Sequence, residues 1–225
     1  MSKHSKRYRE GRSKVENRRY SVDDAVALLK SFPKTKFDQS VELHLNLGID
    51  PKQSDQIVRG SLSLPAGIGK SRKVIAFVPD NLAAEAKKAG ASEAGADELV
   101  EKVMGGWTDF DVAIAHPAMM SKVGKLGRVL GPQGKMPSPK AGTVTPDVVT
   151  AISEFAAGKV EFRNDDSGNV HCVIGRVSFE PAAMKQNIEA FLAFMRKVRP
   201  VAAKGVYIKS VTLTATMSPG VPLEV

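Results

Sequence analysis

Two hydrophobic rhythms alternate along this chain of 225 residues. In QSVELHLNLGI (39–49), Val41, Leu43, Leu45 and Leu47 fall on one side and Ser40, Glu42, His44 and Asn46 on the other. A period of two predicts a strand with one buried and one wet face. VRGSLSL (58–64) reads as a second strand, followed by a turn or linker at LPAGIGK. Ahead of both, SVDDAVALLKSF predicts a helix from Ser21, which can cap it. Asp23 and Asp24 suit the first turn, and Val22, Ala25, Leu28 and Leu29 share a face.

The texture then changes. KVIAFV (73–78) and DVAIA (111–115) are short, almost unbroken apolar runs, alternating with the helical patterns NLAAEAKKAG, ADELVEKVMGG and TPDVVTAISEFAAG. Strands buried on both faces and separated by helices predict a parallel α/β unit. From Val160 the first rhythm returns in VEFRND, NVHCVIGRVSF and VYIKSVTLTATM. Between the last two, PAAMKQNIEAFLAFMRKV predicts a helix with Pro181 at its start and Met184, Ile188, Phe191, Leu192 and Met195 on one stripe. The fold class expected is α/β in two domains. Residues 1–67 and 160–225 make a discontinuous α+β domain, and residues 68–159 an inserted α/β domain, with the two crossings acting as a hinge.

Charge changes the picture more than composition does. An apolar fraction of 42% and a charged fraction of 25% are those of an ordinary globular protein. Lys and Arg, however, outnumber Asp and Glu 33 to 24, which favours a polyanionic partner. With 6% aromatic residues and no basic amphipathic helix, nucleic acid fits better than a membrane. The excess is local. Residues 1–20 carry eight Lys/Arg against Glu10 and Glu16, and read as a basic tail without the apolar segment of a secretory signal. A second concentration lies in GKLGRVLGPQGKMPSPKAGT (124–143), with five glycines, three prolines, no acid, and Lys125, Arg128, Lys135 and Lys140. It reads as a loop able to approach a phosphate backbone, with a solvated surface loop as the bland alternative. Cys172, the single cysteine, excludes an internal disulfide and suits a reducing cytosol.

Motifs for chemistry fail on inspection. GIGKS (67–71) lacks the glycine a phosphate-binding loop needs at position 64, which is Leu, and is followed by a strand rather than a helix. The glycines at 124, 127, 131 and 134 do not make a dinucleotide fingerprint. Four histidines (4, 44, 116, 171) show no ligand spacing, so neither metal nor cofactor is expected. Asp109 with Asp111, and Asp165 with Asp166, sit at strand ends where turns explain them. No nucleophile with a base and its orienter emerges, so the chain does not read as an enzyme. The last strand sets Val211, Leu213, Ala215 and Met217 against Ser210, Thr212, Thr214 and Thr216. That hydroxyl row is either the wet face of an antiparallel sheet or a surface reading ribose and phosphate. Ser40, Glu42 and His44 extend it if the strands are neighbours.

Several long stretches resemble the bacterial large-subunit ribosomal protein L-one family. They are KRYRE, residues 36–65, GWTDFD (106–111), residues 124–144, VEFRNDDSGNVH (160–171) and SVTLTATMSPGV (210–221). The resemblance covers nearly the whole chain and implies a Rossmann-like inserted domain. It implies binding to large-subunit rRNA at the mobile stalk beside the tRNA exit site, alongside other ribosomal components. It further implies help in releasing deacylated tRNA, repression of the protein's own messenger RNA, and a cytoplasmic, ribosome-associated location. By matching motifs, it implies RNA contact at Lys36, Phe37, Ser40, Glu42, His171, Ser210, Thr214, Thr216, Met217, Ser218 and Gly220. Relatives often carry Thr where this chain has Ser40, and Gly where it has Ser218. The rivals are an enzyme holding a phosphorylated small molecule and a general coat on nucleic acid.

Overall fold

The computed structural model describes residues 4–224. The chain begins with helices α1 (Lys6–Ser13) and α2 (Val22–Lys30) and strands β1 (Ser40–Leu47) and β2 (Arg59–Ser63). Then come β3 (Val74–Phe77), α3 (Asp80–Lys88), β4 (Glu93–Gly95), α4 (Asp97–Met104) and β5 (Val112–Ala115). Two single-turn helices, α5 (Met120–Val123) and α6 (Gly127–Leu130), lead to α7 (Val148–Ala156). The chain ends with β6 (Lys159–Arg163), β7 (Asn169–Arg176), α8 (Pro181–Lys197), β8 (Ile208–Ala215) and β9 (Val221–Leu223). Two compact units divide it, Met1–Gly69 with Val160–Val225, and Lys70–Lys159.

In the discontinuous unit the main sheet has the order β7-β1-β8-β9, and β2 pairs with β6 in a separate ribbon. The alternation of β1 sets its position. Val41, Leu43, Leu45 and Leu47 are buried to 1% exposure or less, which leaves Ser40, Glu42, His44 and Asn46 on the open face. Beneath lie α2 and α8, with Met184, Ile188, Phe191 and Met195 of α8 in the same core. The ring of Phe162 meets Phe191 and Phe194 edge-on at 5.7 and 5.8 Å. Asn187, wholly buried on α8, keeps its amide satisfied. It donates to Gly67 O and Ile174 O and accepts from Ala66 N, tying the chain after β2 to the helix.

The inserted unit is a parallel sheet of order β4-β3-β5, with β3 and β5 buried throughout. Alternate residues serve two cores. Val74, Ala76, Val112 and Ile114 meet α3 and α7, while Ile75, Phe77, Ala113 and Ala115 meet α4, α5 and α6. Helices on both faces explain why the strands read as unbroken apolar runs.

Three expectations need correction. Residues 124–143 are an open loop only in their middle, where 131–138 run as turn and coil, while the part up to Leu130 is folded. Val123, Leu126 and Leu130 are wholly buried, and α5, α6 and intervening 3-10 turns wrap the segment around them. The basic N-terminus is not a free tail either: Ser5 caps α1 by accepting from Tyr8 N, and Gly11 is buried against Pro219 and Phe32. Lys3 lies outside the described residues. Met217, finally, does not continue the buried row of β8. The strand ends at Ala215, and Met217 is 68% exposed.

Candidate nucleic-acid interface

The three strands bearing the sequence-predicted residues are neighbours. β1 pairs antiparallel with β8 on one side, bringing Glu42 opposite Thr214, His44 opposite Thr212 and Asn46 opposite Ser210. On the other side it pairs antiparallel with β7, with His44 opposite His171 and Asn46 opposite Asn169. Because successive side chains alternate, these rows share one face, opposite the apolar core. Ser40, Glu42, His171, Ser210, Thr214 and Thr216 therefore form one continuous polar surface.

Hydrogen bonds between its members hold that surface in place. His44 Nδ1 lies 2.8 Å from His171 Nδ1, and His44 Nε2 lies 3.0 Å from Thr214 Oγ1. Asn46 donates to Asn169 Oδ1 at 2.7 Å. Asp165, in the turn before β7, accepts from Ser167 N, Asn169 N and Asn169 Nδ2, and its Oδ2 lies 3.5 Å from His171 Nε2. These donors, Asn169 foremost, pull its carboxyl down to about 2. Burial, with His171 second, lowers the pKa of His44, while Glu42 opposes the shift.

At the end of β8 the chain makes a tight reversal. Thr216 N donates to Ser40 O, Gln39 donates to Thr216 O at 2.6 Å, and Ser218 is bonded through both N and Oγ to Ala215 O. Ser218 Oγ also accepts from Ala215 N, so its side chain is spent inside the turn. Between them Met217 adopts φ 61°, the one described residue other than glycine with a positive φ. Its side chain projects into solvent, while its carbonyl accepts from Arg7 of α1 at 2.9 Å. Gly220 follows, next to Thr212 and Thr214. Lys36 and Phe37 are both exposed in the segment leading to β1, Phe37 by 51%. At the opposite end of the sheet an open groove of about 740 Å³ is lined by Asp50, Gln53, Gln56, Lys204 and Lys209.

The four cations of the inserted unit separate into two kinds. Lys125, Arg128 and Lys140 are exposed. Lys135 is not available in the same way: its Nζ donates to Thr108 O at 2.9 Å and sits 5.0 Å from the centre of the Phe110 ring. Sequence reasoning missed Arg7, because a basic N-terminal run carries no apolar rhythm. His44 was visible on the wet face of β1, but its partners become evident only once β7 and β8 are paired to it. Asp165 behaves as the turn residue it was read as, and also faces His171. Among the described residues there is no group of three or more His, Cys, Asp or Glu placed to hold a metal, and no helix long and apolar enough to cross a membrane.

Comparison with known proteins places the chain in a family. A chain of Kosmotoga olearia named large ribosomal subunit protein uL1 is 51% identical over all 225 residues and 97% of its own length. The uL1 proteins of Lactobacillus gasseri and Protochlamydia amoebophila are 51% and 49% identical over the whole chain, covering 98% and 95% of their own lengths. The profile of the ribosomal protein L1p/L10e family matches residues 29–219. This chain therefore belongs to the ribosomal protein L1p/L10e family, whose members are structural ribosomal proteins and not enzymes.

Proposed function

We propose that the protein is a structural constituent of the large ribosomal subunit, working in the cytoplasm, and that it binds large-subunit rRNA at the mobile stalk through the open face of β7-β1-β8. The observation that carries this reading is the joining of a preorganised polar sheet face to an exposed methionine in a left-handed turn. Hydroxyls, amides and imidazoles at fixed spacing suit the ribose-rich surface of folded RNA better than the regular phosphate ladder of DNA. Met217 and Phe37 supply apolar contact to an unstacked base, and Lys36 neutralises phosphate. Glu42 accepts from a base or ribose rather than approaching phosphate.

The discontinuous unit (1–67 and 160–225 by the sequence reading) is the anchor. The inserted Rossmann-like unit offers Lys125, Arg128 and Lys140 as a second contact, to rRNA or to tRNA at the exit site, where the protein assists release of deacylated tRNA. The same anchor face binds a mimic of the stalk site on the protein's own messenger RNA and represses its translation.

The test is binding of the purified protein to a stalk rRNA fragment and to a scrambled RNA of equal length across salt concentrations. A preference of roughly 4 kcal/mol or more, eroded by Thr216→Ala, supports the site. Equal binding governed by salt alone would make the protein a charge-driven coat and remove the sheet face from the mechanism. A reporter carrying the protein's own leader, unaffected by added protein, would remove the autogenous repression.

A further inference from the structure

Four side chains cross the open face in a chain. Asp165 Oδ2 faces His171 Nε2 at 3.5 Å, His171 Nδ1 faces His44 Nδ1 at 2.8 Å, and His44 Nε2 faces Thr214 Oγ1 at 3.0 Å. Two imidazole nitrogens at that separation share one proton, since two bare nitrogens repel and two N–H groups collide. Which ring carries it follows from the end of the chain. Asp165 is ionised at neutral pH, and an ionised carboxylate only accepts, so His171 Nε2 bears a proton. In a neutral ring His171 Nδ1 is then bare, and the shared proton belongs to His44 Nδ1. His44 Nε2 is bare in turn. Glu42 Oε2, 3.7 Å away, cannot donate to it, and the Thr214 hydroxyl can.

We propose that Asp165, His171 and His44 form a hydrogen-bond relay that fixes the direction of the Thr214 hydroxyl, making His44 a specificity-determining residue of the RNA site. With its proton committed inward, Thr214 offers only lone pairs to a ligand. It accepts from a ribose 2′-hydroxyl and repels a phosphate oxygen, and it gains nothing from a deoxyribose. The inference rests on the RNA reading of this face given above and names the group it reads there.

The relay also has a direction that a proton reverses. Adding one to the histidine pair moves the shared proton onto His171 Nδ1, now in an imidazolium paired with Asp165. His44 then carries its proton on Nε2, donating to Thr214 and toward Glu42, and the Thr214 proton turns outward. The titratable groups facing the pair are Glu42 on β1 and Asp165 in the turn before β7. β8 presents the hydroxyls of Thr212 and Thr214. Burial first, with His171 second, lowers the pKa of His44, so in both states His44 is the uncharged ring of the pair.

Nitrogen chemical shifts of the histidine rings in the free protein test the relay without any RNA. At pH 7.5 His44 is expected as the Nδ1–H form and His171 as the Nε2–H form, and the opposite assignment overturns the proposal. The second arm is binding to a stalk rRNA fragment carrying single 2′-deoxy substitutions, one position at a time. The wild type should lose about tenfold at one position, the worth of one hydrogen bond. Thr214→Val should bind about tenfold more weakly than wild type and be indifferent to that substitution. His44→Ala, which frees the hydroxyl to rotate, should discriminate severalfold less. If Thr214→Val keeps the full 2′-deoxy penalty, or if no position shows one while the fragment is still preferred over scrambled RNA, Thr214 does not read a ribose. If the fragment is not preferred at all, the RNA reading of the face fails instead, and the tautomer result is unaffected.

Discussion

Met217 offers a perturbation whose two consequences have opposite signs. Its φ of 61° lies in the left-handed region, which costs a residue bearing a Cβ roughly 1–2 kcal/mol. Every hydrogen bond of the turn runs through backbone or through neighbouring side chains: Arg7 to Met217 O, Ser218 to Ala215 O, Thr216 N to Ser40 O. Met217→Gly therefore removes the strain and keeps the bonds. Against this stands the larger backbone freedom of glycine in the unfolded chain, roughly 0.5–1 kcal/mol. The net is a gain of about 0.5 kcal/mol, or a rise in Tm of about 1–3 °C. The side chain, 68% exposed, contributes little to the free protein's core, but burying it on RNA contributes roughly 1.5–3 kcal/mol. Affinity for the stalk fragment should then fall by about 10- to 100-fold. Thermal unfolding by circular dichroism and a filter-binding titration at one salt concentration read the two effects. A loss of stability beyond about 1 kcal/mol would refute the strain argument. Unchanged affinity would mean that the protein holds Met217 outward for something other than RNA.

Neutralising Lys125, Arg128 and Lys140 together should reduce the slope of log affinity against log salt by up to about 3, whereas Lys135→Ala should leave the slope alone and lower the melting temperature of the inserted unit. Gly48→Ala should destabilise the discontinuous unit by roughly 1–3 kcal/mol in urea unfolding, because a Cβ there would overlap the backbone carbonyl oxygen of Val206, which Gly48 approaches by donating to Tyr207 O. The Asp165 carboxyl, lowered from 3.8 to about 2, contributes stability that is fully present above its unfolded value and is lost as pH falls from about 4 to about 2. Asp165→Asn should remove that part of the acid dependence, read as a flatter unfolding profile across this window.

The longer strands and helices were legible because each announces its own period, whereas the three-residue β4 and β9 are too short to show one and went unread. β1 buries the four residues its alternation selects, and the stripe of α8 is the stripe of the core. Two segments misled for opposite reasons. In residues 124–143 the glycines and prolines obscured Leu126 and Leu130, which with Val123 just before the segment keep the spacing of three and four of a helix turned toward a core. In α1 there was no apolar face to find, since the helix is held by the Ser5 cap and by Gly11 against Pro219, a contact across most of the chain. The candidate site was legible as a list of polar residues on separate strands. Its geometry was not, because the order β7-β1-β8 and its register depend on pairings between distant segments. Met217 was placed on the wrong face for the same reason: nothing local marks the residue at which an alternating strand stops.

The two kinds of polar group on this protein do different work, and the hydrogen bonds say which is which. On the sheet face, His44, His171, Asn46, Asn169, Thr214 and Ser218 already bond to one another or to the backbone. Their remaining donors and acceptors point in directions fixed before any ligand arrives, so a partner that matches them loses little free energy to ordering, while a mismatched one leaves them unpaired. Lys125, Arg128 and Lys140 are exposed and can meet a phosphate in many arrangements. Affinity drawn from such cations is sensitive to salt and nearly blind to sequence, whereas affinity drawn from the face is the reverse. On the proposed function, the division explains how a chain with a net charge of +9 would still select one RNA. On that reading its discrimination would reside in uncharged groups held rigid by a core, and its excess charge would raise the encounter rate with every RNA alike.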